Sequence, residues 1–92
     1  MNKSDLVGLI SEKKNISLRA ADHFVNIIID SMIAAFIKEE RIEIRGFGSF
    51  VIRKYESYEG RNPKTGKKII IPEKRLPFFK AGKDLVDRIN EK

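Results

Sequence analysis

Between residues 53 and 75 the sequence gathers the side chains best suited to grip a polyanion. Arg53, Lys54, Arg61, Lys64, Lys67, Lys68, Lys74 and Arg75 stand there against only Glu56, Glu59 and Glu73. Arginines and lysines along an extended ribbon pair with phosphates or enter a groove of a duplex. At the centre lies Arg61-Asn62-Pro63, which joins a long cation, a small amide and an apolar ring. The cation suits the negative potential of a minor groove, and the ring is of the kind that slides between base pairs. Proline is also an ordinary turn former, so residue type alone leaves both roles for Pro63 open.

Other chemistry finds little support. The only histidine, His23, falls among polar residues of a helical segment, where a solvated imidazole is the plain reading. No order of Ser, His and Asp suggests nucleophilic catalysis, and Asp22, Asp30, Glu39 and Glu40 read as ordinary helix-surface charges. The absence of cysteine excludes disulfides, a thiolate nucleophile and Cys-ligated metal sites. Gly60…Gly66-Lys67 has the flavour of a phosphate loop. However, Lys68 stands where the hydroxyl belongs, and a basic strand follows in place of a helix. The expectation is a protein that is not an enzyme and uses no metal or cofactor.

The 92 residues carry a net charge of +6, unevenly spread. Residues 1–40 hold 5 basic and 6 acidic side chains, residues 41–83 hold 12 and 4, and residues 84–92 hold 2 and 3. A neutral start, a basic middle and a neutral end point to a polyanionic partner, with nucleic acid the commonest. The length fits one domain, 1–92, and buries only a modest core, which favours oligomerisation. Asp22, Asp30 and Lys38 interrupt the longest apolar runs, so no membrane span is expected. The start, Met-Asn-Lys-Ser-Asp, has no apolar leader, and a cytoplasmic location follows as the expectation.

The elements that must position the basic segment follow from periodicity. Residues 2–14 read as a helix, with Leu6, Val7, Leu9 and Ile10 at helical spacing and Asn2 or Ser4 as cap. Asn15-Ile16 breaks it, and Ser17 caps a second helix running to about Glu39, with Asp22 early and Lys38 late to suit the dipole. On this helix Ala20, Ala21, Phe24, Val25, Ile27, Ile28, Ile29, Met32 and Phe36 span roughly 220°, about twice what a surface helix needs. The first helix is too small to cover that face, so the sheet, a third helix and a partner subunit are expected to share it.

Arg41–Arg45 alternates as a strand, Gly46-Phe47-Gly48 turns, and Ser49–Tyr55 forms a second strand. Turn formers from Gly60 to Lys67, followed by Ile69–Ile71, suggest a long hairpin arm. Leu76–Lys80 returns the chain, and Leu85, Val86 and Ile89 line one side of a last helix after Gly82. The predicted class is α+β: two helices, a three-stranded antiparallel sheet with an extended ribbon arm, and a C-terminal helix. Its regions are 1–40 for dimerisation, 41–83 for sheet and arm, and 84–92 for the last helix.

Gly46-Phe47-Gly48-Ser49-Phe50, Gly60-Arg61-Asn62-Pro63-Lys64-Thr65-Gly66 and Phe79-Lys80-Ala81-Gly82-Lys83 together resemble the bacterial HU and integration host factor proteins. The resemblance covers essentially the whole chain. It implies an intertwined dimer whose arms embrace double-stranded DNA in the minor groove, intact, nicked, gapped or already bent, in the bacterial nucleoid. Pro63 would be the wedge, with Arg61 and Asn62 beside it. Arg53, Lys64, Lys67, Lys68, Lys74 and Arg75 would meet phosphates along the arm and its base. Lys3, Lys80 and Lys83 would clamp flanking phosphates, aided by helix N-termini. Phe24, Ile28, Met32, Phe36, Phe47, Phe50 and Phe79 would fill the dimer core. Arg45 resembles the DNA-contacting arginine with which the integration host factor beta subunit helps read a preferred site, which implies a sequence-preferring subunit in a heterodimer with a paralogue as the alternative to a homodimer. Ala81 departs from the proline common to both branches. RNA is the rival ligand class, for which Tyr55 and Tyr58 offer only a sparse stacking platform.

Overall fold

The computed structural model describes residues 1–91, so Lys92, the end of the helix expected over 84–92, lies outside the described residues. The chain forms two compact units, Met1–Ile37 and a second beginning at Lys38.

The first unit is a helix pair. Helix α1 (Lys3–Lys14) begins with a reciprocal cap. The Asp5 amide donates to Asn2 Oδ1 at 2.9 Å and the Asn2 amide donates to Asp5 Oδ2 at 3.0 Å, satisfying two otherwise orphaned donors. Asn2, not Ser4, is therefore the cap. Asn15 ends the helix at φ 52°, a left-handed conformation that asparagine tolerates. Helix α2 (Leu18–Ile37) starts where Ser17 Oγ accepts from the Ala20 amide at 3.0 Å. It stops two residues short of the expected Glu39, which adopts φ 61° and cannot continue a right-handed helix. Lys38 thus lies outside the helix and Asp22 beyond its first turn, so neither supplies the dipole pairing expected of it.

Val7, Ala21 and Val25 are the buried core of this unit, with Ile10 and Ile16 packed against them. Leu6 and Leu9 stay exposed, while Val7 and Ile10 are the α1 side chains of the core cluster. Two buried valines contribute on the order of 2 kcal/mol each, little for a unit of this length. Phe24 remains 52 % exposed and Ile28 58 %, with Ile27, Ile33 and Ile37 also open.

By length and composition α2 could cross a bilayer, with 20 residues and a mean hydropathy of 1.5. The interruptions had suggested otherwise, but Lys38 falls outside the helix and leaves only Asp22 and Asp30 as acids within it. Each Asp at mid-bilayer would cost about 3 kcal/mol. Together with Arg19, His23 and Asn26 they form a polar stripe better suited to water.

In the second unit β1 (Ile42–Ile44), β2 (Gly48–Tyr55) and β5 (Lys74–Ala81) form an antiparallel sheet of order β1-β2-β5. Between β2 and β5, β3 (Tyr58–Arg61) and β4 (Lys68–Ile71) pair as a separate antiparallel ribbon. The returning strand is longer than the expected Leu76–Lys80, and the arm is jointed instead of continuous. The joint lies at residues 56–57 and 72–73, where Pro72 has no N–H to give a ladder. Arg45 leaves the expected first strand and enters the turn, where Gly46 takes φ 84° and the Phe47 amide donates to the Ile44 carbonyl at 3.0 Å. A Cβ on Gly48 would stand 2.5 Å from the Lys80 carbonyl oxygen, so this strand crossing admits only glycine.

Helix α3 (Lys83–Ile89) follows Gly82, whose amide donates to the Phe47 carbonyl at 2.9 Å. None of its residues is buried, and Val86 and Ile89 are exposed. The packed side expected of Leu85, Val86 and Ile89 is not closed within a single chain.

Candidate nucleic-acid interface

Register decides what the sheet presents. Phe50 lies opposite Ile42 on one side and Phe79 on the other, and Ile52 lies opposite Pro77. Strand alternation puts these on one apolar face. The opposite face carries Ser49 against Lys80, Val51 against Phe78, Arg53 against Leu76 and Tyr55 against Lys74. Of the expected DNA contacts, Arg53, Lys74 and Lys80 therefore share a face. The Arg53 guanidinium sits 3.5 Å from the centre of the Phe78 ring, a cation–π contact that orients it. Sequence reading missed this pair, because Arg53 and Phe78 become diagonal neighbours only once the register is known.

On the apolar face Phe79 is the hub. Its ring centre lies 5.1 Å from that of Phe47 and 4.8 Å from that of Phe50, both tilted. Phe47 is still 42 % exposed and Phe50 and Phe79 half-buried. In the other unit Phe24 and Ile28 are exposed while Met32 and Phe36 are half-buried.

Along the ribbon two like-charge pairs face each other across the strands. Lys54 lies opposite Arg75 at the base, and Arg61 lies opposite Lys68 near the tip. Like charges directly opposite destabilise a strand pair. At the base Glu39 resolves the conflict: its Oε1 accepts from Arg75 Nη1 at 3.0 Å and its Oε2 lies 3.3 Å from Lys54 Nζ. The Arg75 hydrogen bond, then the Lys54 one, hold the Glu39 carboxyl below its ordinary value. With Tyr55, Glu56, Glu73 and Lys74 these three line an open cleft of about 660 Å³. By residue type Glu39 is a plain helix-surface charge; its pairing with Lys54 and Arg75 is visible only after strand pairing. Among the described residues no carboxylate bridges Arg61 and Lys68.

Beyond that second pair the chain reverses through Pro63, Lys64 and Thr65, with Gly66 at φ 71°. Pro63, Lys64 and Lys67 are exposed, and Asn62 is half-buried. Arg61, Asn62, Pro63, Lys64, Lys67 and Lys68 are thus gathered at one end of the ribbon. Lys83 opens α3, while Lys3 opens α1 in the other unit. Arg45 lines a hollow of about 630 Å³ with Gly46, Phe47, Asp84, Asp87, Arg88 and Glu91. Three carboxylates, Asp84, Asp87 and Glu91, thus line the same hollow as Arg45. Among the described residues no cluster of His, Asp or Glu could hold a metal.

The family described as bacterial DNA-binding protein matches residues 1–90. The chain is 47 % identical over 91 residues to the integration host factor subunit beta of Cupriavidus metallidurans, covering 98 % of this chain and 67 % of that one. It is 42 % identical over 92 residues to the subunit of the same name from Dechloromonas aromatica, covering 99 % and 98 %. Among solved structures it is similar to HU in an Anabaena HU–DNA cocrystal, with TM-score 0.87, 36 % identity and full coverage of both chains. An HU variant from Thermotoga maritima gives TM-score 0.72 at 26 % identity, over 98 % of this chain and all of that one.

Proposed function

The chain belongs to the bacterial DNA-binding protein family of HU and integration host factor, non-enzymatic architectural proteins, and from that premise we propose that it dimerises and bends duplex DNA through the minor groove. The observation that carries this reading is the ribbon tip. An exposed Pro63 stands there beside Arg61 and Lys68, two cations held face to face with no internal counter-anion among the described residues. A polyanion removes their repulsion. Residues 41–83 supply the field that captures the duplex, and Arg53, Lys74 and Lys80 on one sheet face meet its phosphates. Pro63 then enters a base step. Unstacking costs a few kcal/mol, offset by phosphate contacts that only the bent duplex reaches.

Dimerisation follows from what a single chain leaves open. The exposed Phe24, Ile28 and Phe47, with Met32, Phe36, Phe50 and Phe79, need a second surface to bury them. A homodimer in the cytoplasmic nucleoid is the first reading. Similarity to proteins named integration host factor subunit beta favours a second, in which a paralogous chain supplies the other half and Arg45 helps select a site.

The test is energy transfer between the ends of a labelled duplex, with the parent protein and Pro63→Ala. Pro63→Ala keeps every arm cation, so it should still bind but should bend intact duplex less. Duplex with a nick or gap should be affected less, because part of its unstacking is already done. Equal bending by both proteins would reduce Pro63 to a turn former. Sedimentation of the chain alone should give twice the monomer mass. A folded monomer that pairs only after a paralogue is added would establish the second reading.

A further inference from the structure

We infer that Asn62 is the positioning residue of the ribbon tip, acting on DNA through the loop that holds Pro63 and not through the bases. The inference rests on the wedge reading above and identifies what that wedge depends on. Three hydrogen bonds issue from this one residue. The Asn62 amide donates to the Lys67 carbonyl at 2.9 Å, closing the ribbon just beyond the Arg61–Lys68 pair. The Asn62 carbonyl accepts from the Gly66 amide at 2.7 Å, which folds the intervening residues into one turn. Its side-chain Oδ1 accepts from the Lys64 amide at 2.9 Å, spanning Pro63 itself.

Residue chemistry explains the arrangement. Proline brings no N–H, so a loop built around it has one donor fewer with which to hold its shape. Asparagine is the side chain whose short carbonyl reaches the amide two residues on. Gly66 at φ 71° takes the left-handed position, and Thr65 Oγ1 accepts from the Lys67 amide at 3.3 Å to complete the return. The tip is thereby shaped before any duplex arrives, and a wedge that need not be ordered on insertion loses less binding free energy. The carbonyl end of the Asn62 carboxamide is committed to the Lys64 amide and so serves to shape the loop, and Asn62→Ser separates that role from a direct contact by the remaining Nδ2.

Parent, Pro63→Ala, Asn62→Ala and Asn62→Ser proteins are compared by Lys64 amide exchange, by end-to-end energy transfer on intact duplex, and by affinity for intact and gapped duplex. Serine retains a hydroxyl that can accept from the amide two residues on but has no carboxamide. Asn62→Ala should speed Lys64 exchange several-fold, weaken intact-duplex binding about fivefold and reduce the bend. It should change gapped-duplex affinity by less than about twofold, and Asn62→Ser should recover most of each loss. Loss of bending in Pro63→Ala with none in Asn62→Ala would overturn the inference and leave the wedge reading intact. Loss in Asn62→Ser with the Lys64 amide still protected would overturn it too, by assigning the carboxamide a direct DNA contact. If Pro63→Ala bends like the parent, the wedge reading fails and the inference falls with it.

Discussion

The base and the tip of the ribbon pose the same electrostatic problem and answer it differently. Each sets two cations directly across from one another, Lys54 against Arg75 and Arg61 against Lys68. At the base the chain supplies its own anion, Glu39, within 3.3 Å of one and 3.0 Å of the other. At the tip no carboxylate among the described residues does so. A like-charge pair with an internal counter-anion is a way of holding two strands together. The same pair without one destabilises the strand pairing, and on the proposed reading an external polyanion would relieve it. Composition treats the two pairs alike, as four more cations in a basic segment.

The largest effect that would sharpen this contrast is removal of the tip pair. Arg61→Ala with Lys68→Ala should weaken binding to random duplex by about tenfold or more at moderate salt. The slope of log affinity against log salt should flatten by about two contacts, near 0.9 each. Lys54→Ala with Arg75→Ala should flatten it by less than one contact, because those cations already have a partner. Equal slopes for the two double variants, from filter-binding titrations across salt, would erase the distinction.

Next in size is Glu39→Gln, which removes the internal anion and keeps the shape. Glu39 then no longer neutralises Lys54 and Arg75, so affinity should rise a few-fold and the salt slope should steepen by about one contact. A fall in affinity would mean that Glu39 serves chiefly to aim the ribbon. Phe78→Leu tests the neighbouring face by removing the ring beneath Arg53 while keeping an apolar side chain. It should weaken duplex binding about twofold, as measured by the same titrations.

The smallest expected effect is on pH. The Glu39 carboxyl is held below its ordinary value of 4.5, so the ion pairs stabilise the folded chain fully above that value. They are lost as pH falls through the lowered one. Melting curves of the parent and Glu39→Gln should therefore differ at neutral pH and converge in acid. Because the pairs are exposed, the difference should be small and should shrink with added salt.

What was legible in advance was local. Ser17 as a cap, Asn15 as a break, a turn at Gly46-Phe47 and a reversal after Arg61 each depend on a few neighbouring residues, although Gly48 joins β2 and Gly60 joins β3. The jointed arm was not legible, although Pro72 stood in plain view, because a missing N–H matters only when a partner strand would have taken it. Nor was the early end of α2, since Glu39 carries no conventional stop signal. Residue type places Asn62 at the tip, but its bond to the Lys64 amide is visible only once the loop around Pro63 is folded.

By itself the sequence determined the order of elements, the charge of the middle segment, the over-wide apolar arc of α2 and the chemistry at the ribbon tip. These rest on residue type and on spacings of a few positions, where periodicity and backbone preference act directly. Only the tertiary structure decided which cations face one another, which of them Glu39 neutralises, that Phe79 joins Phe47 and Phe50, and that Arg53 lies over Phe78. Those are contacts between residues distant along the chain, set by strand register. A one-residue slip would have turned every side chain of β5 to the other face.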